Sequence, residues 1–230
     1  MKTIGLLGGM SWESSIEYYR IINQTVKERL GGLHSAQCLM YSVDFAEIER
    51  LQHIGDWDTL TQTMIAAVHR LERGGAECLV ICTNTMHRMA DEIQAAARTS
   101  LLHIADAAAA AIKAKGLHTV GLLGTRFTME GDFYRVKLQQ DHGLMVLTPG
   151  QSERKMIHQI IYEELVQGMI REESRQVYQT VIGNLQQRGA QGVILGCTEI
   201  PLLVRDSDVD LPVFDTTTIH AQAAVDWALS

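Results

Sequence analysis

Two short segments of this chain hold residue types suited to moving protons. Thr83-Asn84-Thr85 follows an apolar run at residues 78–82, and Cys197-Thr198-Glu199 follows another at 192–195. A thiol works as both acid and base once its surroundings bring its titration into the working range, and helix N-termini do this by favouring the thiolate. A hydroxyl such as that of Thr83 holds and delivers a proton, but it is a poor base beside a thiolate. Glu199 stands two positions after Cys197. It could support thiol–thiolate exchange, or it could sit at a helix start because the dipole favours a carboxylate there. His87, four positions after Thr83, could orient that segment or simply pack. Cys82 directly precedes Thr83. Adjacent side chains on an extended strand point to opposite faces, so Cys82 is expected in the core and not in place of Thr83.

Other chemistries fit the residue spacing less well. The chain has nine histidines and four cysteines, but Cys78-x3-Cys82-x4-His87 matches no standard zinc spacing, so no metal site is expected. Gly5-Leu6-Leu7-Gly8-Gly9 lacks both the Gly-Lys-Ser/Thr ending of a phosphate loop and the Gly-x-Gly-x-x-Gly spacing of a dinucleotide turn. A Cys–His hydrolase would need a histidine near Cys197 in space, and that reading stays open.

The elements that must position these residues follow from the hydrophobic pattern. Apolar runs at 3–7, 37–43, 78–82, 101–104, 119–123, 145–147, 192–195 and 213–214 are too continuous for half-exposed strands. They predict strands buried on both faces, as in parallel sheets covered by helices. Amphipathic stretches lie between them. Ser14 and Glu17 are spaced as a capping box, and Tyr19, Ile22, Val26 and Leu30 then recur at helical steps up to Gly31-Gly32. Asp58 is placed to cap a helix ending at Gly74-Gly75, and helices are expected over 153–168, 172–188 and 216–229. The alternation predicts an α/β architecture.

A weak internal repeat divides the chain. Ile4-Gly5-Leu6-Leu7-Gly8-Gly9 resembles Val120-Gly121-Leu122-Leu123-Gly124-Thr125, and Tyr18 and Tyr134 keep the same offset. The segment from Cys78 to Thr85 resembles that from Gly192 to Glu199, with Thr83 matching Cys197. A looser echo joins Ile104-Ala105-Asp106 to Val213-Phe214-Asp215. Three echoes in one order imply two pseudo-symmetric lobes, each a parallel sheet flanked by helices, with the active site at the lobe interface. The expected lobes are 1–105 plus 216–230, and 106–215. In such sheets ligands sit at the carboxyl ends of strands. Backbone N–H groups of Asn84-Thr85, Thr198-Glu199, Gly8-Gly9-Met10-Ser11 and 125–128 would there hold a carboxylate.

Composition sets the outer bounds. The 230 residues are 46% hydrophobic and 20% charged, an ordinary globular balance. A net charge of -7 argues against a nucleic-acid or membrane-surface partner. No apolar run reaches the roughly 20 residues of a membrane helix, and the short N-terminal run reads as a strand and not a signal peptide. Four cysteines in a chain of this length do not form a disulfide scaffold, so a reducing cytoplasm is expected.

Three segments together carry a family likeness. Gly8-Gly9-Met10-Ser11-Trp12-Glu13, Thr83-Asn84-Thr85-Met86-His87 and Gly196-Cys197-Thr198-Glu199 resemble the signatures of the aspartate/glutamate racemase family. The resemblance implies a cofactor-independent isomerase without pyridoxal phosphate, with one acid/base residue from each lobe. Inversion at Cα needs one deprotonated and one protonated group on opposite faces, and donors for the substrate carboxylate. By resemblance the catalytic pair is Thr83 and Cys197, and the substrate-binding residues are Met10, Gln52, Asn84, Thr85, Thr198 and Glu199. Arg126 and Lys155 are candidate partners for an acidic side chain.

The chain departs from the family pattern at one place, where Thr83 stands for the usual first cysteine. Cys197 is then the competent base and Thr83 mainly the donor, which implies a preference for one enantiomer, the L form by resemblance. The substrate is expected to be aspartate, glutamate or a related polar amino acid, and a homodimer is the family's habit. Two other readings fit: a one-thiol decarboxylase or isomerase of the same superfamily, and a non-enzymatic small-molecule binding protein.

Overall fold

The computed structural model describes residues 1–230. The chain forms two compact units, Met1–His103 with His220–Ser230, and Ile104–Ile219. The division therefore falls just before a helix that begins at Ile104, and again inside the last helix.

In the first unit the order is β1 (Ile4–Gly8), α1 (Trp12–Leu30), β2 (Cys38–Ser42), α2 (Phe45–Ile54), α3 (Trp57–Arg73) and β3 (Cys78–Ile81). A 3-10 turn (Thr85–Met89), α4 (Ala90–Ala96) and β4 (Ser100–Leu101) follow. The second unit runs α5 (Ile104–Ala114), β5 (Thr119–Gly124), α6 (Arg126–Glu130), α7 (Asp132–Gln140), β6 (Met145–Leu147) and α8 (Gln151–Glu163). It continues with a 3-10 turn (Leu165–Gln167), α9 (Glu172–Gln187), β7 (Val193–Gly196), α10 (Ile200–Leu203) and β8 (Val213–Asp215), and α11 spans Thr216–Leu229. All strand pairs are parallel, and the two sheets have matching orders, β2-β1-β3-β4 and β6-β5-β7-β8. The architecture is thus α/β with two four-stranded parallel sheets, as the pattern of buried runs predicts.

The central strands β1, β3, β5 and β7 are covered on both faces, which is why they are apolar throughout, while the flanking β2, β4 and β6 leave residues such as Met40, Ser100 and Met145 exposed. In the first unit Leu7, Leu79 and Ile81 pack against Ile48, Leu60, Met64 and Val68 of α2 and α3. On the opposite face Ile4, Leu6, Val80 and Cys82 meet Tyr18, Ile22 and Val26 of α1 and Ala221, Ala224, Val225 and Ala228 of α11. In the second unit Leu123, Val193 and Leu195 pack on Ile157 and Ile161 of α8 and on Tyr178, Val181 and Leu185 of α9. Val120, Leu122 and Ile194 face Ala105, Ala109 and Ile112 of α5 and Tyr134 and Leu138 of α7. Each fully buried side chain of this size stabilises the fold by roughly 1.5–3 kcal/mol.

Three local expectations are corrected. Helix α1 is capped by Ser11, whose side chain accepts the Ser14 N–H at 3.4 Å, so Ser14 lies inside the first turn and is buried. The helix starts early because Gly9, at φ +90°, turns the chain sharply after β1; a Cβ there would sit 2.2 Å from the Val43 carbonyl oxygen. Helix α3 is capped by Asp56, and Asp58 lies in its first turn. The looser echo pairs unlike elements. Ile104 opens a helix whereas Val213–Asp215 is a strand, and the first-unit strand in the equivalent sheet position is Ser100–Leu101. Apolar triplets do not distinguish a helix start from a short strand.

Candidate active site

In each sheet the strand order reverses between its first and third strands in sequence, and such a switch point opens a crevice at the strand carboxyl ends. In the first unit the segments leaving β1 and β3 are Gly9-Met10-Ser11 and Cys82-Thr83-Asn84. In the second, those leaving β5 and β7 are Thr125 and Cys197-Thr198-Glu199. Four helical starts follow these strand ends, with Ser11, Asn84, Thr125 and Glu199 at the N-cap positions. The first and third of these caps are built alike. Ser11 and Ser14 hydroxyl oxygens lie 3.3 Å apart, as do those of Thr125 and Thr128.

The segment after β7 holds a thiol–carboxylate pair. The Cys197 Sγ–H donates to Glu199 Oε2 at 2.9 Å, and the Thr198 hydroxyl donates to the same oxygen at 2.7 Å. Glu199 is buried, at 7% exposure, while Cys197 is half-buried. Burial pushes the Cys197 thiol well above its usual range, and the Glu199 charge and hydrogen bond push it further. Backbone N–H groups of Glu199 and Thr198 pull the other way and are outweighed. This corrects the expectation that a helix start lowers the thiol's titration. Helix α10 is only four residues long, and burial together with the adjacent carboxylate outweighs it. The resting group is a protonated thiol with a proton acceptor already in contact.

Close approach of β5 and β7 brings this segment in. A Cβ on Gly196 would lie 2.8 Å from the Leu123 carbonyl oxygen, so only glycine permits the spacing directly before Cys197.

The segment after β3 is built differently. Cys82 is fully buried in the core, burial raising its thiol far above the usual range, whereas Thr83 is half-buried. The alternation along the strand thus separates the two side chains. Asn84 and Thr85 are buried at the head of the 3-10 turn, where the Asn84 carbonyl accepts the His87 N–H at 3.1 Å. His87 Nδ1 bonds the Thr83 carbonyl at 2.8 Å. Its ring is 2% exposed and makes edge contacts with His103 at 4.6 Å and His220 at 5.7 Å between centroids. Burial, then the neighbouring His103 and His220, hold the His87 imidazole well below its usual titration, while the Thr83 and Leu102 carbonyls oppose that.

Met10 packs in the core cluster with Leu7, Ile48 and Met86, so its side chain is engaged inside the first unit. Gln52 is 5% exposed and its Nε2 donates to Met86 Sδ at 3.2 Å. Arg126 is exposed and stacks over Phe127 at 5.5 Å, and Lys155 is exposed on α8. Sequence reasoning missed Tyr178, His103 and His220. The buried Tyr178 hydroxyl on α9 has no hydrogen-bond partner, and the charges of Cys197, Glu199 and Glu164 add to burial in raising its titration. In the sequence it stands within the expected helix over 172–188, and nothing local sets it apart from ordinary core packing. His103 and His220 stand far from Thr83 in sequence, and no local pattern links them to it.

Each unit thus ends a central strand at a helical start, with Thr83 after β3 in the first and Cys197 after β7 in the second, within an α/β frame. Residues 7–224 match the model of the Asp/Glu/Hydantoin racemase family, and the chain belongs to that family. It is 57% identical to a candidate Asp/Glu racemase from Yersinia pestis, with 100% of each chain covered and a TM-score of 0.94. It is 34% identical to an aspartate racemase homologue from Pyrococcus horikoshii OT3, again over 100% of each chain, with a TM-score of 0.88. It also matches the broad specificity amino-acid racemase RacX of Bacillus subtilis (strain 168), 24% identical over 74% of this chain and 73% of that protein.

Proposed function

We propose that this chain is a cofactor-independent amino-acid racemase that moves the Cα proton of aspartate, glutamate or a related polar amino acid. Cys197 and Glu199 act as one proton relay and Thr83 as the opposing donor. The observation that carries the reading is the 2.9 Å contact between the Cys197 thiol and the Glu199 carboxylate. In the L-to-D direction Glu199 takes the thiol proton, and the thiolate removes the Cα proton. The Thr83 hydroxyl then delivers its proton to the opposite face, and the proton held by Glu199 returns through solvent to the Thr83 oxygen before the next turnover. The carbanion is stabilised by donors at the substrate carboxylate, work assigned to the backbone N–H groups of Asn84 and Thr85. The likeness to RacX supports breadth among amino acids, and the likeness to an aspartate racemase homologue supports an acidic substrate.

The enantiomer preference takes a specific form. Enantiomers have equal free energy in water, so kcat/KM must be the same in both directions. Unequal bases instead separate kcat and KM within each direction. Proton NMR in D2O across D- and L-amino acids tests the reading through loss of the Cα–H signal. Exchange accompanied by inversion is expected with an acidic or polar amino acid. Absence of exchange across the panel, with binding retained, would identify a binding protein instead. Thr83 in place of a second thiol also suits a one-thiol decarboxylase, and CO2 release from a malonate-type substrate without amino-acid exchange would establish that reading.

A further inference from the structure

We propose that His87 is a positioning residue for Thr83. Its Nδ1–H clamps the Thr83 carbonyl, and a buried Tyr18–His220 pair behind it holds the imidazole in that role. The inference rests on the racemase reading above.

Regular pairing of β3 ends just before the site. The Cys82 N–H donates to the Leu7 carbonyl at 2.9 Å, and Thr83 follows beyond the β1–β3 register, which closes at Leu7 and Ile81. The Thr83 carbonyl is held instead by the His87 side chain, one turn further on, at 2.8 Å. Threonine has a single heavy-atom torsion, restricted by β-branching. Fixing its backbone therefore fixes the small set of directions open to its hydroxyl. A donor in a proton transfer must point at one face of Cα, and a misplacement of about 1 Å can cost on the order of a hundredfold.

The surroundings explain why the clamp is an imidazole in one tautomer. A carbonyl only accepts, so the 2.8 Å contact of His220 Nε2 with the Leu102 oxygen places a hydrogen on Nε2. His220 Nδ1 then accepts from the Tyr18 hydroxyl at 2.9 Å. Both nitrogens of that fully buried ring are used. The His87 ring lies beside two backbone carbonyls, those of Thr83 and Leu102. Its 2.8 Å contact from Nδ1 to the Thr83 oxygen places a hydrogen on Nδ1, and the His220 ring packs on its edge at 5.7 Å. Around the ring, His103 and His220 are the titratable neighbours, with Tyr18 next beyond them.

The test separates the two halves of the reaction. With an L-amino acid in D2O, exchange at Cα with retention reports the Cys197 half, and appearance of the D enantiomer also requires Thr83. The His87→Gln variant carries its amide nitrogen near the position of Nε2, whereas His87→Asn carries one near Nδ1. In His87→Gln the ratio of inversion to exchange should fall about tenfold, and in His87→Asn it should return to within about threefold of the wild type. Equal loss of both rates in His87→Gln, an unchanged ratio, or failure of His87→Asn to restore it overturns the inference. Should His87→Gln fail to fold by circular dichroism, Tyr18→Phe removes only one hydroxyl. The ratio should then fall about threefold, and an unchanged ratio overturns the inference. A wild-type protein that exchanges no amino acid removes the racemase reading and this inference with it, an outcome distinct from a wild type that racemises while the variants keep its ratio.

Discussion

The strand ends after β3 and β7 occupy matching places in matching sheets, yet they hold their proton-active residue by opposite means. After β7 a thiol touches a buried carboxylate, Cys197 to Glu199 at 2.9 Å, so the proton has an acceptor beside it. After β3 the Thr83 hydroxyl has a fixed backbone instead, tied by the neutral His87 ring at 2.8 Å. In the proposed reading one end is supplied with a base and the other with an orientation. A duplicated frame therefore fixes where a residue stands, while the side chains packed around it decide what it does.

The largest effect should come from the end that holds the base. Cys197→Ser replaces a thiol with a hydroxyl, leaving alcohols at both ends. Inversion and Cα exchange should both fall at least about a thousandfold, within the range that acid–base groups contribute. Chiral chromatography together with NMR in D2O reads this, and surviving exchange from the L enantiomer would remove Cys197 as the base.

Glu199→Gln breaks the pair without touching the thiol, and turnover should fall about a hundredfold. The sign of its effect on the thiol is fixed. The carboxylate disfavours a neighbouring thiolate, so its removal should move the Cys197 titration down toward the usual range. The pH dependence of alkylation by iodoacetamide reports that movement, and a midpoint that stays or rises would show that burial alone sets it.

Thr83→Cys should make the two ends more alike. The kcat values measured from the L and D enantiomers should converge, with about a tenfold gain from the slower side. Divergence would mean that the hydroxyl is not what makes the ends unequal.

The smallest contrast compares two repeat-related tyrosines on stability. The Tyr18 hydroxyl bonds His220, whereas the equally buried Tyr134 hydroxyl has no hydrogen-bond partner. Tyr18→Phe should cost about 1 kcal/mol in urea denaturation. Tyr134→Phe should be neutral or stabilising, since it removes a desolvated polar group. Equal losses would show that packing, and not the histidine cluster, sets the value of the hydroxyl.

Much of the frame is legible in the residue order. Strands buried on both faces leave continuous apolar runs, and all eight runs correspond to strands. The repeat in β1/β5 and β3/β7 was readable because each strand ends in glycine or in small polar residues where a helix must begin. The separation of Cys82 from Thr83 followed from strand alternation alone. Caps were read a few residues late at Ser14 and Asp58, because several Ser and Asp residues near a helix start satisfy the same pattern. Only the path of the chain out of β1, with Gly9 turning at once, selects Ser11.

No helix is long and apolar enough to cross a membrane. The family, the parallel α/β architecture and the strand-end placement of Thr83 and Cys197 were determined by local sequence, because burial periodicity and strand-end motifs are short-range properties. The electrostatics of those addresses were decided only by tertiary structure. The sequence implied a thiol lowered by a helix start, and the fold instead placed it half-buried against the Glu199 carboxylate, which together with burial raises it. His220 reaches His87 and Leu102 only through the folding of the first unit, which joins residues more than 100 positions apart. Charge–charge and hydrogen-bond energies depend on distance in space and on exclusion of water, and neither is written in the order of residues.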